Sequence, residues 1–340
     1  MRVKCFLLNL QLHISLFLLL QFSGAGCLYA QHAVDSAWVK PFQKDNNIQL
    51  YGGYAGSSFI FQTKETPRDF LHLLANNSGY TGINVNYKFL SLFYQFTLPY
   101  TSLADRKTGL RSRNLELSQF GSWFGVEASY QHVNGMLFEV RRRRADPTIT
   151  FEDIRYRKYA LNLYLFANPK HFSYSAANFY SKLQQRSAGS WLFMVSPEYQ
   201  QFSFTHASLI GDQSKDSMVY ELVKPQPTWV SAIGYVGYSC NLVMDDGHWS
   251  VSPTLLLGAG GQYPLYDSRF NPKQITLVYS ALGRVNCGYN GEHFFSYLTA
   301  SHDYTRNHLP AAHLHLQNSD FSFTLGYRFS ALKHKILGVI

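Results

Sequence analysis

Three His-X-Ser pairs punctuate the chain: His171 with Ser173, His206 with Ser208, and His248 with Ser250. On a β-strand, residues i and i+2 share a face. An imidazole so placed can take the proton of its serine and prepare the oxygen for acyl transfer. That chemistry would make the chain a lipid-modifying hydrolase, with His206 and Ser208 as its working pair. No third residue that would orient the imidazole and no oxyanion-hole signature stands beside any of the three. In a chain with 13 His such pairs also arise by chance, so no catalytic residue is assigned and the expectation is a protein that is not an enzyme.

His302, Asp303, His308, His313 and His315 crowd together near the C-terminus. His313 and His315 would share a strand face, a spacing that binds transition metals when further ligands converge. No further ligand is evident, and polar residues at the rim of a sheet explain the pair equally well. Arg141, Arg142, Arg143 and Arg144 form the one run of charge. Guanidinium groups bind phosphate bidentately, which makes the run a candidate lipopolysaccharide contact at the level of the lipid A phosphates; a solvated loop edge is the competing reading. There is no Cys-pair metal motif, phosphate-binding loop or dinucleotide fingerprint, so no cofactor is expected.

The elements that must position these residues are strands. Charged residues make up only 15% of the chain and aromatic residues 16%, at a mean hydropathy of −0.17. Average soluble domains carry about 25% charged residues. So much aromatic surface excludes disorder, and past the N-terminus no apolar run reaches the ~20 residues of a membrane-spanning helix. Period-two alternation runs throughout. Ile83, Val85, Tyr87 and Phe89 alternate with Asn84, Asn86 and Lys88; Leu90, Leu92, Tyr94, Phe96 and Leu98 continue the stripe; Phe321, Phe323, Leu325, Tyr327 and Phe329 repeat it at the end.

Turn chemistry separates a sandwich from a barrel. Asn134-Gly135, Asp245-Asp246-Gly247 and Asn290-Gly291 read as tight hairpin turns. Longer polar stretches lie near 62–79, 99–112, 143–153, 207–226, 261–273 and 304–317. Long and short connections alternate along the chain, apart from an insert at 168–187. Short turns at one end and long loops at the other, with an even strand count, describe an outer-membrane barrel. The expectation is one up-and-down antiparallel transmembrane β-barrel of about 12 strands. Its lumen would be polar from Asn84, Asn86 and Lys88, and Trp123, Trp191, Trp229 and Trp249 would form an aromatic girdle. In the insert, Ala176, Ala177, Tyr180, Leu183 and Gln184 fit a short periplasmic helix. A cover over one mouth of the barrel is preferred to a plug inside it.

The insert also carries a resemblance. It reads Asn168-Pro169-Lys170-His171-Phe172-Ser173-Tyr174-Ser175-Ala176-Ala177, then Gln185-Arg186-Ser187-Ala188-Gly189-Ser190. It resembles the signature of a family of Bacteroidota outer-membrane proteins known only as a domain of unknown function. Tyr87-Lys88-Phe89-Leu90-Ser91-Leu92 is similar to that family's early hairpin. Asn178 departs from the pattern, in which an aromatic follows the paired alanines directly. The resemblance implies an envelope location and a barrel; it transfers no activity.

Arg2 and Lys4, the apolar stretch Phe6–Leu20 and the small residues after it have the layout of a secretory signal peptide. Cleavage is expected near Ala30, leaving 31–340 as a single barrel domain in the outer membrane of a diderm bacterium. Cys27 offers a rival reading as a lipid-modified N-terminus, against which Gly24 stands three positions earlier, where such sites usually carry a Leu-like residue. Removing residues 1–30 takes away Arg2 and Lys4 and no acid, so the net charge falls from +9 to +7. That excess suits outer-membrane lipid and lipopolysaccharide as partners, with the barrel-assembly machinery as the third; nucleic acid is excluded by export. Of the four cysteines, Cys240 and Cys287 remain after cleavage, as a disulfide or as two thiols. The expected role is structural or that of a narrow passive pore, with Phe321–Phe329 as the closing strand, paired to the first strand near Ile48–Phe61.

Overall fold

A computed structural model describes residues 34–330 except 45, 65–69, 77, 88–89, 99–100, 102–109, 139–148, 205–225, 266–273 and 310–311. After β1 (Val39–Pro41) comes one large antiparallel sheet. Its strands are β2 (Asn46–Thr63), β3 (Phe70–Leu74), β4 (Ser78–Tyr87), β5 (Leu90–Thr97), β6 (Arg111–Phe120), β7 (Phe124–Phe138), β8 (Ile149–Phe166), β10 (Ala188–Phe204), β11 (Thr228–Met244), β12 (Trp249–Pro264), β13 (Thr276–Asn290), β14 (Phe294–His308) and β15 (Ala312–Phe329). Between β8 and β10 lie α1 (Tyr174–Phe179) and β9 (Lys182–Gln184), the latter paired with β1.

The sheet closes on itself. β15 pairs with β2 from Ala312↔Thr63 to Phe329↔Asn46, so the alternating C-terminal segment is the closing strand expected from sequence. The hydrogen-bonded ring holds ten strands, running β2, β3, β7, β8 and then β10 to β15; β4, β5 and β6 attach outside that path. Set against the expected count of about twelve, the pairing path is shortened by β3, which occupies what the sequence presents as a loop at 62–79. Its Leu73 and Leu74 pair with Phe138 and Leu137 of β7, joining β2 to β7 directly.

Alternation sorts side chains as a barrel wall requires. On β15 Phe321, Phe323, Leu325 and Tyr327 lie exposed on the outside, while Thr324 and Arg328 are buried inside. On β10 the outward residues are Trp191, Phe193 and Val195, and the inward ones Leu192, Met194, Ser196 and Glu198. A continuous apolar outer face with polar residues in the lumen inverts the pattern of a water-soluble sandwich.

Other expectations need correction. Asn134-Gly135 is not a hairpin turn; it lies within β7, where Gly135 takes φ 73° and the register against β8 slips between Asn134 and Met136. The chain reverses instead at 121–123, between β6 and β7. The Asp245–Gly247 and Asn290-Gly291 reversals stand as expected. The expected loop at 304–317 is mostly strand: β14 runs to His308 and β15 starts at Ala312, so His302, Asp303, His308, His313 and His315 all sit on strands. Trp229 is no girdle residue, being fully buried inside, whereas Trp123, Trp191 and Trp249 are exposed outside.

Candidate functional site

The bore is shut at the end where the long connections lie. Inward positions of β2, β3, β7, β8, β10, β11 and β15 supply one apolar cluster that includes Phe59, Phe61, Tyr156, Phe202, Trp229 and Leu314. The ring of Phe202 lies 5.5 Å from Phe59 and 5.3 Å from Phe61, both edge-on. β10 and β2 are separated in the ring by β8, β7 and β3, so these contacts cross the lumen. Aromatic pairs at such separations pack in their favoured geometry.

The other end is shut by the insert. Ser173 caps α1, its Oγ accepting from the Ala176 N–H at 3.2 Å. Tyr180 ends the helix in the left-handed region at φ 54°, its N–H donating to the Ser175 carbonyl. The helix is shorter than the sequence suggests, since Leu183 and Gln184 belong to β9. Tyr174, Ser175, Ala176, Ala177 and Asn178 are all buried. A cover over a mouth would leave one face in water, so the insert is a plug within the barrel.

Polar side chains from the wall hold the plug. Asn286 Nδ2 donates to Asn178 Oδ1 at 3.0 Å, Ser250 Oγ to Tyr180 Oη at 3.1 Å, and Asn290 Nδ2 to the Lys182 carbonyl at 2.9 Å. Burial raises the Tyr180 hydroxyl to about 12. Arg328, only 1% exposed, donates to the carbonyls of Gly291 and Tyr180 and, at 2.6 Å, to Asn290 Oδ1. Its guanidinium lies 3.7 Å from the Phe42 ring centre and 4.2 Å from that of Phe295. Inside the plug, Gln184 Oε1 accepts from the Ser173 N–H at 3.1 Å. Its Nε2 donates to the carbonyls of His171, Arg186 and Trp38 at 2.6, 3.0 and 3.3 Å. Gly247 must lack a side chain because a Cβ there would strike the Gln184 carbonyl, and its φ of +94° excludes most residues anyway.

A polar chamber lies between the seals. Lys158 Nζ pairs with Glu198 Oε1 at 2.9 Å. Gln200 Nε2 donates to Glu198 Oε2 at 2.7 Å, and Tyr156 Oη donates to Gln200 Oε1 at 2.9 Å. Ser196 Oγ donates to Asn162 Oδ1, and Asn162 Nδ2 to Glu127 Oε1, each at 2.7 Å. Glu116 lies within electrostatic reach of Glu127, Arg284 and Asp303. Glu127 and Glu198, which are buried, need such partners. Of the chamber residues only Asp303 was singled out from sequence, among the nearby histidines. The signal was present on β8, where Lys158, Ala160 and Asn162 alternate with Tyr159, Leu161 and Leu163.

Two of the three His-X-Ser pairs are drawn apart. The His171 ring packs on Trp38 at 4.6 Å, while Ser173 caps the helix. His248 Nδ1 meets the Asp245 carbonyl at 2.8 Å, while Ser250 holds Tyr180. His206, Ser208 and Arg141, Arg142, Arg143 and Arg144 lie outside the described residues. His313 and His315 face outward on β15: His313 packs edge-on against His308 at 4.6 Å, and Tyr304 Oη meets His315 Nδ1 at 2.6 Å. Among the described residues no three His, Cys, Asp or Glu side chains converge on a metal position. Cys240 and Cys287 are free thiols on β11 and β13, with β12 between them.

The motif residues belong to the plug and its exit. Phe172 and Tyr174 are buried, the Gln185 N–H donates to the Trp38 carbonyl at 2.8 Å, and Ser187 Oγ accepts from the Val243 N–H at 2.9 Å. Ser190, at the start of β10, accepts from the Asn168 N–H at 3.0 Å.

Fold and site together define a closed antiparallel barrel, apolar outside, with an internal plug and a polar chamber. Residues 33–329 match the model of the domain-of-unknown-function family DUF4421, and the chain belongs to that family. No curated protein matches it. Among solved structures it is similar to the outer membrane protease OmpT of Escherichia coli (TM-score 0.37, 10% identity, 85% of this chain and 98% of that one). It is also similar to an outer membrane channel of Pseudomonas putida F1 (0.37, 11%, 83% and 95%). A third is the translocator domain of the autotransporter NalP of Neisseria meningitidis (0.29, 7%, 93% and 97%).

Proposed function

We propose that the chain is a structural barrel of the outer membrane of a diderm bacterium, whose bore conducts no solute in this conformation. The signal peptide is removed near Ala30 and the barrel-assembly machinery inserts the remainder. The plug end faces the periplasm and the long connections face outward. β3 and β4 act as one strand interrupted at 75–77, since β2 pairs with both in nearly continuous register. With β5 and β6 flanking it, the wall is then built from twelve long strands.

The observation that carries this reading is the pair of seals. Phe59 and Phe202 meet across one end, and Arg328 of the wall is bonded to Tyr180 of the plug at the other. A passive pore needs a continuous aqueous path, and both ends interrupt it. Of the two roles expected from sequence, the structural one is therefore favoured over the pore.

The test is reconstitution of the purified mature chain into planar bilayers, after heat-modifiable gel migration has shown a folded barrel. No stable current at any applied voltage is expected. Steady single-channel steps from the unmodified protein would overturn the closed reading. Its recovery in a soluble periplasmic fraction would overturn the membrane reading itself.

A further inference from the structure

Outward positions near the loop ends of three adjacent strands gather three arginines around one histidine. Arg113 of β6 is paired with His132 of β7, and His132 with Arg157 of β8; Arg155 is one outward position further along β8. All three arginines lie within electrostatic reach of His132. Arg113 and Arg155 are exposed, Arg157 and His132 half-buried. The three guanidinium groups repel one another across this face, and among the described residues the ion pair is Lys158 with Glu198, on the inner face. His132 Nε2 also lacks a hydrogen-bond partner.

The level of this patch is set by its neighbours. One outward step toward the plug end stand Tyr130 and Tyr159, with Tyr199 beside them on β10; successive ring centres are 4.8 and 6.1 Å apart. From Tyr199 the outward face of β10 continues through Pro197, Val195 and Phe193 to Trp191. At about 3.3 Å per residue and a tilt of about 40°, Tyr199 and Trp191 are about 20 Å apart along the barrel axis. Apolar bands of outer-membrane barrels are about 25 Å tall between aromatic girdles. The arginines therefore stand just beyond the outer girdle, where lipid headgroups begin.

We propose that Arg113, His132, Arg155 and Arg157 bind the phosphorylated headgroup of an outer-leaflet glycolipid. The proposal rests on the outer-membrane reading above and adds a ligand to the outside of the wall. Arg113 and Arg157 are two strand spacings apart, about 10 Å at the backbone. Two long side chains reach a phosphate placed over His132 from either side. Guanidinium groups engage phosphate oxygens in pairs, and the anion offsets the repulsion among the three arginines.

The test is titration of the folded mature chain in detergent with bis-phosphorylated lipid A, with the same lipid after phosphatase treatment, and with inorganic phosphate as competitor. The phosphorylated lipid should bind roughly ten times more tightly than the dephosphorylated one, the scale of charge-assisted contacts. The triple variant Arg113→Gln, Arg155→Gln, Arg157→Gln should lose that preference. Lys40→Gln with Lys170→Gln, which removes two exposed charges at the plug end, should keep it. If the triple variant does not fold, Arg157→Gln alone should weaken binding about threefold. Equal binding of the two lipids, or unchanged affinity in a folded variant, overturns the site. Full displacement by millimolar inorganic phosphate makes it a free-anion site instead. Loss of binding by a protein that fractionates with the outer membrane defeats this proposal alone; failure to fractionate there defeats the reading beneath it.

Discussion

Phe59 of β2 and Phe202 of β10 meet edge-on with ring centres 5.5 Å apart, although three strands of the wall separate them. Each is essentially fully buried, and Tyr156 packs against both at 4.8 Å. The loop-end half of the lumen is thus a packed core. That arrangement distinguishes a barrel filled by its own side chains from one that holds water.

Phe202→Ala should therefore destabilise the barrel by about 3–5 kcal/mol, as large-to-small changes in packed cores do. It should not open a conducting path, because the plug still shuts the other end. Replacing 168–187 by a short Gly-Ser turn should likewise give no current alone. Current steps are expected only when both changes are combined. Differential scanning calorimetry in detergent checks the first outcome and bilayer recording the others.

Arg328 is the only described wall side chain that bonds both the plug and the turn beneath it. Arg328→Met should leave the carbonyls of Tyr180 and Gly291 without a donor, each costing about 1–3 kcal/mol if water does not replace it. The plug should loosen before the wall does. Limited trypsin digestion should then cut faster at Lys170, Lys182 or Arg186, by roughly tenfold for each 1.4 kcal/mol lost locally. Heat-modifiable migration should survive. Unchanged cleavage with a folded wall would show that the plug needs no anchor from β15.

How far the molecule could be read from its sequence follows from the range of each signal. The closing strand was legible because Phe321–Phe329 alternates without interruption, and a period of two is local information. Asn134-Gly135 misled because the same left-handed glycine serves a hairpin turn or a slip of register inside a strand, and only the partner strand β8 distinguishes them. His313 and His315 looked like loop because polar residues rise past the apolar belt while the strand continues. The plug was visible as a helical insert. Its position inside the lumen depends on Asn286, Ser250 and Arg328, which are more than 65 positions away in sequence. The chamber had no local signature at all, since Glu127, Lys158 and Glu198 come together only when the sheet closes.

Lys158 and Glu198 offer a test of that chamber. Glu198 is almost wholly buried and Lys158 is 22% exposed, so neither charge is well solvated alone. Lys158→Met should cost about 3 kcal/mol by stranding the carboxylate, the lower end of what breaking a buried pair costs. Adding Glu198→Met should recover part of that loss, because the stranded charge is removed with its partner. Thermal melts of both single variants and the double variant measure the coupling. Strictly additive losses would mean that the pair does not interact in the folded barrel.

The closing strand makes the last prediction. β15 runs in register with β2 to its final pair, Phe329↔Asn46, and with β14 as far as Tyr327↔Phe294. Tyr327 and Phe329 stand on the outward face, Tyr327 beside Phe294 at 5.0 Å and Phe329 beside Tyr87 at 6.4 Å. Between them Arg328 turns inward to the plug. An unpaired edge in hydrocarbon would leave backbone groups unsatisfied at several kcal/mol each, so the barrel assembles only if this strand docks. Every ladder bond of β15 is made by Phe329, and none of the described pairing needs residues beyond Ser330. Truncation after Ser330 should therefore leave the folded, heat-modifiable form in the membrane fraction. Tyr327→Asp with Phe329→Asp places two carboxylates on the apolar face and should abolish that form, while Tyr327→Phe with Phe329→Tyr should preserve it. If instead the truncated chain fails and the double Asp variant assembles, closure depends on residues 331–340 and not on the aromatic face of β15.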